Sequence, residues 1–323
     1  MDDSSPVPQE RVLIWDRIDA NKWRTVLLIL SFVVFTALFF AAIGTVIAVY
    51  AGVNPEDDLT LTIQIAAATA LVATVVGVIM YYAATATVLS ISGAHEVTLA
   101  QEPVLYRVVE NLSIGSGLPM PRVWVIEDSA PNAFAAGRDP ERAHVAATRG
   151  LIDKLEKREL EAVMAHEMSH IGNYDIRIMT TAAVVVGLMA LLTDMMLRFT
   201  WYGAGARRSN RGKGGGAIAL IFLAVALVFI VLSPFIASAL RFAVSRQREY
   251  LADASGALLC RNPAALADAL EKIAADPEPL ESANKATAHL YIENPLKEHK
   301  SFLNGLFATH PPMDERIKLL RAM

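Results

Sequence analysis

His166-Glu167-Met168-Ser169-His170 is the stretch of this chain whose residue types and spacing bear most directly on chemistry. Positions four apart share one face of an α-helix, so both imidazoles can reach a single metal ion. Glu167 follows the first histidine directly and can reach the open side of that ion. There it can take a proton from water, as the general base of a zinc hydrolase does. A bare HExxH also arises by chance, and two surface histidines on a helix would read the same way, so the surroundings decide.

Such a site needs a third protein ligand and an open fourth position. Glu249, in Arg248-Glu249-Tyr250-Leu251-Ala252-Asp253, is the best candidate. Asp253 lies one helical turn further on the same face. A carboxylate there can accept the free N–H of a ligand histidine, fixing its tautomer and raising its basicity.

These pieces resemble the HtpX-type membrane zinc metallopeptidases, relatives of the CAAX prenyl protease. The similarity is carried by HEMSHIGNYD at 166–175, REYLAD at 248–253, PNAFAAG at 131–137, TRGLID at 148–153 and HPPMDERI at 310–317. It covers about residues 100 to 323. The resemblance implies one Zn²⁺ per chain with His166, His170 and Glu249 as ligands, Glu167 as catalytic acid/base and Asp253 behind a ligand. It also implies a role in membrane protein quality control. A polar N-terminal tail of some two dozen residues departs from the family pattern.

Two further elements carry functional readings. An exposed strand edge at Asn132-Ala133-Phe134-Ala135 can bind a substrate backbone as an added antiparallel strand, and small alanines would let it approach closely. The competing reading is an ordinary buried hairpin. His310, before Pro311-Pro312, can donate a hydrogen bond to a developing oxyanion, or can simply cap the last helix. Arg316 belongs to the same candidate pocket. His95, His144, His289 and His299 lack partner spacing and read as structural or surface residues.

The elements that must position these groups are partly membranous. The chain has 323 residues, 54% hydrophobic and 19% charged, with mean hydropathy +0.38; these values point to an integral membrane protein. A net charge of −4 gives no footprint for a nucleic-acid partner. A single cysteine, Cys260, excludes an intrachain disulfide framework and a cysteine-based zinc site.

Residues 25–50 and 60–90 are long enough to span a hydrocarbon core of roughly 30 Å. The first of these runs is too long for a signal-peptide core. Further apolar runs cover 178–197 and 217–240, and a basic, glycine-rich loop joins them. Asp194 and Pro234 make these two imperfect spans. Arg11, Arg17, Lys22 and Arg24 precede the first span and Glu56, Asp57 and Asp58 follow it. The positive-inside rule therefore places the N-terminus and the catalytic domain in the cytoplasm, in a multi-pass protein of the cell membrane.

The expected fold is an α-helical membrane protein with an α+β zincin-like catalytic domain, about four membrane helices and a small β-sheet. Its parts would be a cytoplasmic tail (1–24), a two-helix membrane anchor (25–90) and a metallopeptidase domain (91–323) with an inserted apolar hairpin at 178–240. Strands are expected at 122–127, 133–136 and 144–148, and helices at 102–112, 150–155, 157–172, 262–275 and 313–321. Gly115 to Pro119 reads as a turn. The eight residues from His170 to Ile178, run straight as helix, put the metal within about 12 Å of the third apolar run, and Gly172-Asn173 reads as a bend that can only shorten this. Expected substrates are membrane proteins or unfolded segments near the bilayer; the oligomeric state is left open. Two alternatives stay open: a CAAX-type peptidase on prenylated substrates, and a non-catalytic membrane scaffold.

Overall fold

The computed structural model describes residues 19–34, 36–37, 59–206, 246–283, 286–296 and 311–323. Helix α1 covers 19–34 and α2 covers Leu59–Ile91. Among the described residues one segment, Ala67–Ile91 of α2, is long and apolar enough to cross a membrane. The apolar run at 217–240 and His310 lie outside the described residues.

After α2 the chain forms β1 (Ala94–Glu96), α3 (Pro103–Ser116), β2 (Arg122–Ile126), β3 (Ala133–Gly137) and β4 (Ala143–Thr148). The sheet order is β1-β2-β4-β3; β2 and β4 run parallel, and the other pairs are antiparallel. Helix α3 runs four residues past the expected end and takes in Gly115 and Ser116. It stops where Gly117 adopts φ 70°, a left-handed cap that glycine accepts without strain. β1 has only three residues, too short for a periodic signal.

The alternation of the strands sorts the core into two layers. Ala133, Ala135, Val145, Ala147, Val123 and Val125 face a helical core that includes α3 and the metal-motif helix. Phe134, Ala136, Ala146 and Ile126 face the other way, onto α2, α6 (Asp175–Ala206) and Tyr291. The sheet is thus a wall between the catalytic helices and the long apolar ones.

Four helices complete the catalytic side: α4 (Arg149–Lys154), α5 (Lys157–Gly172), α7 (Arg246–Cys260) and α8 (Pro263–Ala275). A capping box starts α5, with the Glu156 side chain on the Glu159 backbone and the reverse. Leu160, Val163, Met164, Met168 and Ile171 of α5 are all buried; the larger of these side chains contribute about 1.5–3 kcal/mol each. Asn262 caps α8 by accepting from the Ala265 N–H at 3.1 Å. α9 (Met313–Arg321) closes the chain.

The expected bend is a sharp corner. α5 ends at Gly172, Tyr174 takes φ 59°, and α6 (Asp175–Ala206) starts at the next residue. Helix α6 also runs nine residues beyond the expected end of the third apolar run, so Trp201 to Ala206 are helical, not loop.

Candidate active site

Two helix crossings bring the chemistry together. Helix α7 lies so close to α5 that a Cβ on Gly256 would sit 2.8 Å from the backbone nitrogen of His166. The missing side chain lets Glu249 and Asp253, one turn apart, reach the histidine face of α5. His166, His170 and Glu249 then offer ligand atoms that all lie within 4.8 Å of one another. The two Nε2 atoms are 3.2 Å apart. Glu249 Oε2 is 3.8 Å from His166 Nε2, and its Oε1 is 3.7 Å from His170 Nε2. All three residues are buried.

Each imidazole is backed by a carboxylate. His166 Nδ1 is 2.9 Å from Asp253 Oδ1, and His170 Nδ1 is 3.1 Å from Asp175 Oδ2. With Nδ1 protonated toward these acids, both Nε2 lone pairs turn toward the same point, where only a proton or a cation relieves their repulsion. A tetrahedral ion with bonds near 2.1 Å holds its ligand atoms roughly 3.4 Å apart, close to the spacing found here. The donor set therefore fits a metal ion.

Behind the carboxylates stand two arginines. Arg316, wholly buried, donates from Nε and Nη2 to the two oxygens of Asp253 at 2.8 and 2.7 Å, and from Nη1 to Ile292 O at 3.0 Å. Burial alone would raise the Asp253 carboxyl, but Arg316 holds it down at about 2. Arg248 has its Nε 3.4 Å from Asp175 Oδ1 and donates from Nη2 to Asn21 Oδ1 at 2.8 Å.

Burial lowers the His166 pKa, with Asp253 only partly offsetting it. For His170, burial also opposes the charge, yet the Asp175 hydrogen bond and the negative Glu249 carry it up to about 9. Burial pushes the Glu167 carboxyl up to about 7. The neighbouring His170 and the Ala135 backbone offset that rise only in part.

The edge at Asn132 to Ala135 is not exposed. β3 is an edge strand of the sheet, but all five of its residues are buried, and two of its outward backbone groups have partners on other elements. Ala133 O accepts from the Ile292 N–H at 3.0 Å, and Gly137 N–H donates to Thr180 Oγ1 at 3.0 Å. Asn132 Nδ2 donates to Glu293 O at 3.1 Å. The reason is that α5, α6 and the 290–293 segment close over the strand.

Asp175, Arg248 and Asn21 were not among the expected site residues. The first two stand inside HEMSHIGNYD and REYLAD, which was the only signal; Asn21 had none. Of the remaining histidines, His144 Nδ1 accepts from Trp124 Nε1 at 3.0 Å and His289 Nε2 lies 3.0 Å from Met179 O, while His95 is exposed. His299 is outside the described residues.

The sequence profile of Peptidase family M48 matches residues 99–323. The chain belongs to that family. M48 membership makes it a metalloprotease, and the His166–His170–Glu249 cluster is where a metal fits. Among curated relatives, a "Protease HtpX homolog" of Listeria monocytogenes is 42% identical over 317 residues, covering 96% of this chain and 100% of the relative. One from Dictyoglomus thermophilum is 48% identical over 236 residues, 73% of this chain and 74% of the relative. A solved structure, the crystal structure of S. mikatae Ste24p, is similar at TM-score 0.48 and 16% identity over 95% of this chain and 66% of that one.

Proposed function

We propose that this M48 protease is a zinc endopeptidase of the cell membrane, with one zinc ion per chain held by His166, His170 and Glu249. The observation that carries this reading is the pair of Nε2 atoms 3.2 Å apart beside Glu249, all on buried side chains. Zinc bound there would polarise the scissile carbonyl and make the attacking water more acidic. Glu167 takes the water proton and passes it to the leaving amine; its raised pKa brings it near the working pH. Asp253 and Asp175 hold the two histidines in the ligating tautomer. His310, outside the described residues, is assigned a hydrogen bond to the oxyanion.

The substrate backbone adds to β3 along Asn132, Ala133, Phe134 and Ala135, displacing the Ile292 N–H from Ala133 O. Substrates are membrane proteins or unfolded segments near the bilayer. In support, α6 leaves α5 after a two-residue corner, and α2 ends at Ile91, just before β1 at Ala94. The four-span arrangement and the cytoplasmic catalytic domain rest on the apolar runs and on the basic residues before the first one.

The test is metal analysis and casein cleavage on the full chain in detergent. Glu167→Gln should keep its zinc and fold and lose nearly all activity, since it removes the base but no ligand. Substantial turnover by zinc-loaded Glu167→Gln would overturn the assignment. Full zinc occupancy in Glu249→Ala would show that another residue is the third ligand.

A further inference from the structure

Asn21 lies in α1, far outside the residues 99–323 that the family profile matches. Yet its side chain is buried against the metal-site corner. Its Nδ2 donates to Asp175 Oδ1 at 2.8 Å and to Asn173 O at 3.0 Å, and its Oδ1 accepts from Arg248 Nη2 at 2.8 Å. Both amide hydrogens and the carbonyl oxygen are therefore engaged. The network fixes the amide orientation, because a flipped Asn21 would set oxygen against the Asp175 carboxylate and N–H against the guanidinium.

The chemistry of the position is restrictive. The side chain must donate to an anion and accept from a cation at the same time, within one carboxamide. Aspartate accepts but cannot donate, and alanine leaves a buried carboxylate and a buried guanidinium each short of a partner. The groups it holds are one step from the metal ligands. Asp175 Oδ2 is 3.1 Å from His170 Nδ1, and Arg248 directly precedes Glu249. Asn173 O belongs to the corner where Tyr174 takes φ 59°, the turn that brings Asp175 back onto His170.

We propose that Asn21 is a positioning residue of the metal centre. Its carboxamide orients Asp175 and Arg248, and through them His170 and Glu249, so the N-terminal helix is part of the catalytic unit. The inference rests on the metal-centre reading above.

The experiment compares full-length wild type, Asn21→Ala, Asn21→Asp, Leu28→Ala and His170→Ala in detergent. It measures the rate of zinc loss to a chelator, the absorption spectrum of the Co²⁺-substituted protein, kcat and KM, and thermal unfolding. Asn21→Ala should lose zinc about 10–100-fold faster, as loss of outer partners does, with an altered Co²⁺ spectrum and a lower kcat at unchanged KM. Asn21→Asp removes both donors but keeps a partner for Arg248, and should also release zinc faster; it decides the matter if Asn21→Ala does not fold. Leu28, on the same helix in the apolar layer, controls for packing: Leu28→Ala should lower thermal stability and release zinc at the wild-type rate.

Wild-type zinc loss in Asn21→Ala, or in Asn21→Asp where that variant stands in, would overturn the proposal. So would equal acceleration by Leu28→Ala. Retention of zinc by His170→Ala would instead sink the metal-centre reading itself.

Discussion

The two histidines of the site are held from behind by arms of different construction. The His166 arm, Asp253 and Arg316, joins two C-terminal helices through a two-point guanidinium–carboxylate pair. The His170 arm, Asp175 with Arg248 and Asn21, is assembled around a helix corner and closed from the other end of the chain. Burial keeps His166 on the lowered side although Asp253, itself held down by Arg316, offsets it in part. At His170 the Asp175 hydrogen bond and the negative Glu249 outweigh burial and carry it up to about 9. A site with two like ligands thus rests on one self-contained support and one that needs the N-terminal helix.

The largest effect is expected at Arg316. It is buried between Asp253 and Glu249, with Nη1 3.7 Å from Glu249 Oε2. Arg316→Ala leaves two buried carboxylates facing each other without their cation. Breaking a buried ion pair from one side typically costs about 3–5 kcal/mol, so the midpoint of chemical unfolding should fall by a corresponding amount and bound metal should be lost. A variant with near-wild-type stability would mean that the His166 arm does not depend on its arginine.

The next pair compares the arms directly. Asp253→Ala and Asp175→Ala should each weaken metal binding by about 10–100-fold, and Asp253→Ala should be the worse of the two. Without Asp253, the Arg316 guanidinium can lean onto Glu249 and compete for a ligand carboxylate, whereas Arg248 stays tied to Asn21. Competition titrations with a metal chelator give the order. A loss in Asp253→Ala as large as in His166→Ala would make Asp253 a direct ligand, and the reverse order would show that the corner matters more than the ion pair.

The arms also differ in how far the sequence reveals them. Glu249 and Asp253 are one helical turn apart, so local periodicity places both on one face, and the structure sets both against His166. Asp175 is five residues past His170, beyond the reach of a continuous helix. Only the corner at Asn173 and Tyr174 returns it, and the direction of that turn is a tertiary outcome. Asn21 and Arg248 are separated by 227 positions, and no local pattern couples them. Strand β2 was legible from alternation and β3 and β4 only as short strand candidates, while burial of β3 was not legible, because an alanine-rich strand reads alike whether helices cover it or substrate does. Arg316 was legible only as a companion of His310, which lies outside the described residues, and its pairing with Asp253 was not legible.

The smallest effect is expected at Asn262, which is remote from both arms. Its side chain caps α8, which packs against α5 without supplying any group to the metal site. Asn262→Ala should reduce stability by about 1 kcal/mol, the usual worth of such a cap. This variant separates two accounts of metal retention. If zinc is held by the local geometry of the two arms, a modest global loss leaves the chelator-driven release rate unchanged, while Asp175→Ala raises it. If zinc instead escapes through general loosening of the helical core, Asn262→Ala should speed release in proportion to its lost stability. Release rates and unfolding midpoints measured on the same preparations distinguish the two, and faster release from Asn262→Ala would count against an arm-by-arm description of this site.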